Sequence, residues 1–283
     1  MTPSGPSDMA LVRAGCARVQ AWCDVRMDAD CDAREGYLAG SDLTRMAVIE
    51  RALARDDVDF LWASRGGYGA TRLLRAGRHA IEGWLREHPV PLVGFSDITA
   101  LHGLWARCGV RSIHGPMVAR MGDGGAVSPS DEATLRSVLA GETQTWAELE
   151  VRSSGTTEGF AAGGNLAVLS ALCGTVDQPH FSGAVVFLED VGERPYRVDR
   201  MLTQLLASGV CEGARAFVLG SFSDCEPGPD GRTVAEVLDE LLLPLGVPVL
   251  AGAPFGHADR CAAFAMGDLV RVRSEGMVHF EPR

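Results

Sequence analysis

Four short segments of the 283-residue sequence set reactive side chains where an apolar run breaks. In Gly94-Phe95-Ser96-Asp97 a serine ends a strand-like run. A turn there can hold the hydroxyl out for attack, with the next backbone N–H free to stabilise an oxyanion. The GxSxG elbow pattern is incomplete, because Ile98 stands where the last glycine belongs. On this segment alone the better reading is that Ser96 caps the helix that follows. Phe187-Leu188-Glu189-Asp190 sets two acids after a second apolar run. A carboxylate at that point can orient an imidazole and stabilise its charged form, or simply favour a helix N-terminus near Tyr196. Ala253-Pro254-Phe255-Gly256-His257 fixes a loop around a histidine, whose ordinary pKa suits base work near neutrality. A lone loop histidine is more often incidental; His114 is its most loop-like competitor, and His102 lies inside a predicted helix. Finally, Arg65-Gly66-Gly67-Tyr68-Gly69 is a glycine turn between a strand and a helix. Its N–H groups can approach a ligand, and the helix N-terminus favours negative charge. The dinucleotide fingerprint GxGxxG fails at Arg72, and a tight turn with no ligand is the alternative.

The elements that must carry these segments alternate along the first half of the chain. Ser41-Asp42 caps a predicted helix through Arg45, Met46, Ile49, Ala52 and Leu53. A strand is predicted over 58–63, a helix from Ala70 to about Leu85, a strand over 89–94 and a helix from Ile98 to Cys108. Strand, turn and helix in this rhythm predict an α/β layer with a largely parallel sheet. The Gly-, Ser- and Pro-rich stretch 121–130 marks the clearest break. Beyond it, strands are predicted at 184–188, 216–219 and 269–273. Helices are predicted from Gly164 to about Cys173 and from Tyr196 to about Ser208. The expected organisation is an N-terminal Rossmann-like domain over 1–125, a linker or crossover over 126–155, and a smaller mixed domain with a partly closed sheet over 156–283.

Composition narrows the chemistry. No lysine occurs, so all 26 basic residues are arginine. A guanidinium does not deprotonate at working pH, which excludes Schiff-base chemistry, a Ser–Lys dyad and a Walker-type phosphate lysine. Against 37 acidic residues the net charge is −11, so sequence-independent grip on nucleic acid or an anionic membrane is not expected. The eight cysteines show no CxxC spacing and the seven histidines no HExxH, so no metal or other cofactor is expected and chelators should have no effect. The first residues lack a basic region followed by an apolar run, and no stretch reaches 18 uncharged apolar residues. The expectation is a cytoplasmic protein with reduced, buried cysteines.

Taken in order, the segments resemble the LD-carboxypeptidase family of serine peptidases, which includes murein tetrapeptide carboxypeptidases and microcin C immunity peptidases. The resemblance also rests on Pro3-Ser4-Gly5-Pro6, Tyr37-Leu38-Ala39-Gly40-Ser41-Asp42 with Arg45, Ala70 with Arg72-Leu73-Leu74, and His114-Gly115-Pro116. Gly163-Gly164-Asn165-Leu166, Val191-Gly192-Glu193 and Tyr196-Arg197-Val198-Asp199-Arg200 extend it through the second half. It implies Ser96 as nucleophile, Glu189 as acid and His257 as base, with oxyanion donors from the backbone of Asp97 and Gly67. Arg65 and Gly66 become candidate substrate contacts, Arg65 equally a candidate for a structural salt bridge. The implied fold is an α/β N-terminal domain carrying the serine and a C-terminal barrel-like domain carrying the acid and base, commonly as a homodimer. The implied reaction cleaves the amide between an L-centre of meso-diaminopimelate and a terminal D-alanine, in cytosolic murein tetrapeptides or muropeptides during cell-wall recycling. One alternative keeps the chemistry and changes the substrate to a peptidyl-nucleotide such as microcin C. Two others change the class: a nucleotide-binding oxidoreductase, or a non-catalytic muropeptide-binding protein.

Overall fold

A computed structural model, describing residues 1–283, divides into two compact units, Met1–Glu132 and Ala133–Arg283. The first unit contains helices α1 (Met9–Val19), α2 (Asp42–Leu53), α3 (Ala70–Glu87), α4 (Thr99–Arg107) and α5 (Val118–Gly122). Its strands are β1 (Leu61–Trp62), β2 (Leu92–Gly94) and β3 (Ser112–His114). They pair in parallel, with Trp62 opposite Val93 and Gly94 opposite His114. The strands are shorter than their apolar runs predict. Pro89 and Pro91 have no N–H to donate, so the second ladder begins at Leu92. In the first, Asp59 is exposed and regular pairing starts two residues later. Ser41 caps α2 by accepting the Thr44 N–H, as the sequence predicts.

Glycine lets two elements approach closely. A Cβ on Gly15 of α1 would lie 2.0 Å from the Val118 carbonyl oxygen, and one on Gly122 of α5 would lie 1.9 Å from that of Leu11. These two helices therefore pack backbone to backbone.

In the second unit, α6 (Pro129–Leu139) begins before the division and continues across it. The segment 126–155, expected as linker or crossover, also contains β4 (Gln144–Trp146) and β5 (Glu150–Ser153). Then follow β6 (Thr157–Asn165), α7 (Leu166–Leu172), β7 (Ala184–Val191), α8 (Pro195–Ala207), β8 (Ala216–Ser223), α9 (Val234–Leu242), β9 (Val249–Ala251), β10 (Phe264–Met266), β11 (Leu269–Arg273) and β12 (Met277–Glu281). Eight of these strands form one mixed sheet in the order β4-β12-β11-β6-β7-β8-β9-β5, parallel from β6 to β9 and antiparallel elsewhere. Its two edge strands are neighbours in sequence, since only residues 147–149 separate Trp146 from Glu150. So few residues span at most about 14 Å, whereas eight strands laid flat are about 34 Å wide. The sheet must curl until its edges approach, which makes this unit barrel-like.

The central parallel strand β7 is buried on both faces. Along β7, Val185 and Phe187 face an inner cluster of Trp146, Phe255, Phe264 and Phe280, while Ala184, Val186 and Leu188 face the outer helices α7, α8 and α9. Trp146 packs against Phe280 with ring centroids 4.7 Å apart, and Phe187 against Phe264 at 4.5 Å. The predicted helix start at Gly164 is wrong by two residues. Gly163-Gly164-Asn165 finish β6, and a Cβ on Gly163 (φ +127°) would lie 2.0 Å from the Phe187 carbonyl oxygen. Close strand pairing, not helix entry, needs that glycine.

Candidate active site

Two groups of residues have the geometry for chemistry, one in each unit. In the first, β2 ends at Gly94 and Phe95 is extended (φ −151°), but Ser96 turns into the left-handed region at φ +63°. A non-glycine residue there stores about 1–3 kcal/mol of strain, held by its surroundings. Ser96 begins a single 3₁₀ turn, and α4 then starts after Ile98 with no side-chain cap. The capping explanation of Ser96 therefore fails. The residue occupies a sharp strand-to-helix elbow despite its incomplete sequence pattern, and it is half-buried.

The glycine turn lies directly against this elbow. A Cβ on Gly66 would stand 3.0 Å from Ser96 Cβ, 3.1 Å from its Oγ and 3.5 Å from the Asp97 nitrogen. Gly67 follows at φ +105° and is exposed. The Asp97 carboxylate, itself buried, accepts the Ala70 N–H at 2.8 Å. It thereby caps α3, whose own N-cap is Gly69 and has no side chain to offer. Burial pushes the Asp97 carboxyl above its ordinary value, opposed by hydrogen bonds and by the charge of Arg45. Arg45 is fully buried, donating to the carbonyls of Pro3 (2.6 Å) and Gly69 (2.8 Å) and pairing with Asp42. Arg65 is exposed and donates to the Pro6 carbonyl at 2.9 Å, which is a backbone contact and not a salt bridge.

In the second unit the alternation along β7 turns Glu189 to the inner face and Asp190 to the outer. Glu189 has no exposed side-chain surface and sits 2.7 Å from His257 Nδ1, on a loop between β9 and β10. An ionised carboxylate accepts only, so Nδ1 carries the hydrogen and Nε2 keeps a lone pair for a proton. Gly256, at φ +110°, lets the loop pass: a Cβ there would lie 2.5 Å from Ser221 Oγ and 3.0 Å from Glu189 Oε2. Ser221 at the end of β8 anchors the loop by accepting the Ala258 N–H (3.2 Å) and donating its own N–H to Phe255 (3.0 Å).

The sequence reading missed three supporting residues: Asn165, Ser221 and the Asp97 side chain. Asn165 Nδ2 reaches both Glu189 (3.3 Å) and Asp190 (3.0 Å), while its Oδ1 caps α7 at Val168. Asp190 also accepts the Ala167 and Val191 N–H groups, yet burial still pushes its carboxyl up to about 6. Asn165 stands in Gly163-Gly164-Asn165-Leu166, but nothing in that motif names its partner. The competing histidines lie deep in the first unit. His102 donates Nε2–H to the Gly94 carbonyl at 2.9 Å, and burial lowers its pKa to about 4. His114 is fully buried beside Phe95, with ring centroids 5.5 Å apart.

None of the eight cysteines is in a disulfide; Cys16, Cys31, Cys225 and Cys261 are buried, whereas Cys23, Cys108, Cys173 and Cys211 are only half-buried, against the expectation. No group of three or more His, Cys, Asp or Glu side chains is placed to hold a metal ion, and no helix is long and apolar enough to cross a membrane.

A buried acid holding a histidine, and a serine elbow, are parts that serine-type hydrolases use. Residues 1–115 match the LD-carboxypeptidase N-terminal domain and residues 158–272 the LD-carboxypeptidase C-terminal domain. The chain belongs to the LD-carboxypeptidase family and is a serine carboxypeptidase. The murein tetrapeptide carboxypeptidase of Pseudomonas aeruginosa is 33% identical over 256 residues, covering 86% of this chain and 82% of that protein. The crystal structure of muramoyltetrapeptide carboxypeptidase from Oxalobacter formigenes superposes with a TM-score of 0.86 at 28% identity, covering 98% of this chain and 96% of that one. The microcin C7 self-immunity protein MccF shares the fold, with a TM-score of 0.88 at 20% identity, covering 100% of this chain and 95% of that one.

Proposed function

We propose that the protein is an LD-carboxypeptidase that releases D-alanine from murein tetrapeptides, free or within muropeptides, in the cytoplasm during cell-wall recycling. Ser96 attacks the carbonyl of the amide that joins the L-centre of meso-diaminopimelate to the terminal D-alanine. His257 Nε2 takes the serine proton and later gives it to the leaving amine, while Glu189 holds the imidazolium. The backbone N–H groups of Asp97 and Gly67 stabilise the oxyanion. Water then releases the acyl group by the same steps in reverse. With no lysine in the chain, arginine and backbone N–H groups are left to read the substrate carboxylate. Arg65, beside the glycine turn, is the nearest such cation in sequence, with Gly66 as its neighbour in the contact. The functional molecule is a homodimer.

The observation that carries this reading is the 2.7 Å pairing of a fully buried Glu189 with His257 Nδ1, which prepares Nε2 as a base. The name of the Pseudomonas relative supports the murein substrate. The peptidyl-nucleotide alternative draws on MccF, solved in complex with glutamyl sulfamoyl guanosine. The two are separated by incubating the enzyme with murein tetrapeptide and, in parallel, with a microcin C analogue, and following products by mass spectrometry. Release of D-alanine from the tetrapeptide is expected; cleavage of the analogue alone would overturn the assignment.

A further inference from the structure

The elbow at Ser96 has a feature that the proton-transfer steps do not use. His102, on α4, is 3% exposed and sends Nε2–H into the Gly94 carbonyl at 2.9 Å. That carbonyl ends β2, two residues before the left-handed Ser96, and already accepts the Gly115 N–H at 3.2 Å. The ladder bond therefore satisfies Gly94 without help, and the imidazole adds a second donor from the side of the helix. The arrangement leaves His102 Nδ1 buried with no hydrogen-bond partner. An orphaned acceptor of this kind destabilises the fold, a penalty that an apolar residue would not carry. Fold stability alone therefore does not explain a histidine at this position.

The neighbours show what the extra donor can do. Ile98 and Ala63 crowd Gly94 so closely that a Cβ there would lie 2.9 Å from Ile98 Cγ1 and 3.1 Å from Ala63 Cβ. On the far side of Ser96, the Asp97 carboxylate is tied to Ala70 at the start of α3. The strained residue is thus gripped before and after, by His102 through Gly94 and by Asp97 through Ala70. Strain persists at a residue only where its surroundings over-determine it, and an error of about 1 Å in a reacting group can cost about 100-fold in rate.

We infer that His102 is a positioning residue for the nucleophile: its Nε2–H clip on the Gly94 carbonyl holds the β2 end so that Ser96 keeps its reactive left-handed turn. This rests on the assignment of Ser96 as nucleophile, and the two can fail separately.

The test is the rate at which a fluorophosphonate acylates the full chain, together with kcat and KM for D-alanine release. Ser96→Ala serves as the unlabelled control. His102→Leu, which removes the donor, should slow acylation and kcat by about 10- to 100-fold with KM within about twofold. Its melting temperature should stay level or rise, because the orphaned Nδ1 is gone. His102→Gln, which can return an N–H to the same carbonyl, should recover most of the rate. Where leucine fails to fold, His102→Phe gives the same comparison with a ring that lacks the donor. Wild-type acylation in a folded His102→Leu or His102→Phe protein would overturn the positioning role. So would equal losses in the glutamine and leucine variants. If the wild-type enzyme itself resists acylation, the nucleophile assignment falls, and the positioning role falls with it.

Discussion

Ser96 shows how far a single residue can be read before its backbone is known. Its type and its place after an apolar run made it a candidate nucleophile, but the same facts fitted a helix cap. The φ of +63° and the absence of a side-chain cap on α4 remove the cap reading, and the backbone around Ser96 is packed by Gly66 and tied at Gly94 and Ala70. Ser96→Ala should abolish D-alanine release while circular dichroism and melting stay close to wild type. Gly66→Ala tests the neighbouring turn. Its φ lies outside the left-handed region, so the added methyl acts by crowding Ser96 Oγ and not by straining the backbone. A loss of about 10²–10³ in kcat/KM with little change in melting temperature is expected; unaltered kinetics would show that the turn plays no part. The acid and base were legible as residue types in two distant motifs. Their 2.7 Å contact was not, because it depends on how strands distant in sequence pair.

At the scale of elements, the alternation of strand, turn and helix in the first unit could be read from periodicity. Strand lengths could not, because prolines without N–H groups trimmed the ladders. Buried ionisable groups on two elements give opposite pH dependences. Burial holds His102 on α4 neutral down to about 4, whereas unfolded histidine gains its proton near 6.5. As pH falls through that window the unfolded chain binds the extra proton, and stability falls. Asp190 on β7, raised to about 6 by burial, takes its proton before the unfolded carboxyl does at 3.8, so its effect is to raise stability as pH falls. Each effect is worth up to about 3 kcal/mol. Urea midpoints from pH 7 to pH 4 should show His102→Gln gaining stability relative to wild type on acidification and Asp190→Asn losing it. Parallel curves would remove both assignments. Between helices, Gly15→Val should drive α1 from α5 and lower stability by at least about 1–3 kcal/mol, measured by the same denaturation.

For the whole molecule, the mixed character of the second half and a partly closed sheet were expected from the sequence, but the strand order that closes it was not legible. Closure follows from β4 and β5 being sequence neighbours at opposite edges, a fact of pairing order that no local pattern contains. The proposed homodimer should appear in light scattering at about 60 kDa, twice the 30.0 kDa chain, and a particle of single-chain mass would refute it.

Ser96 and His257, 161 positions apart in the chain, are proposed to act as one catalytic unit, and kinetics can test this without reference to geometry. The measurement is kcat/KM for D-alanine release by Ser96→Ala, His257→Ala and the double variant. Residues of one triad are expected to be strongly non-additive. Each single variant should lose about 10⁴-fold or more, and the double variant should be no slower than the worse single one. Losses that multiply in the double variant would show two independent contributions and contradict the account.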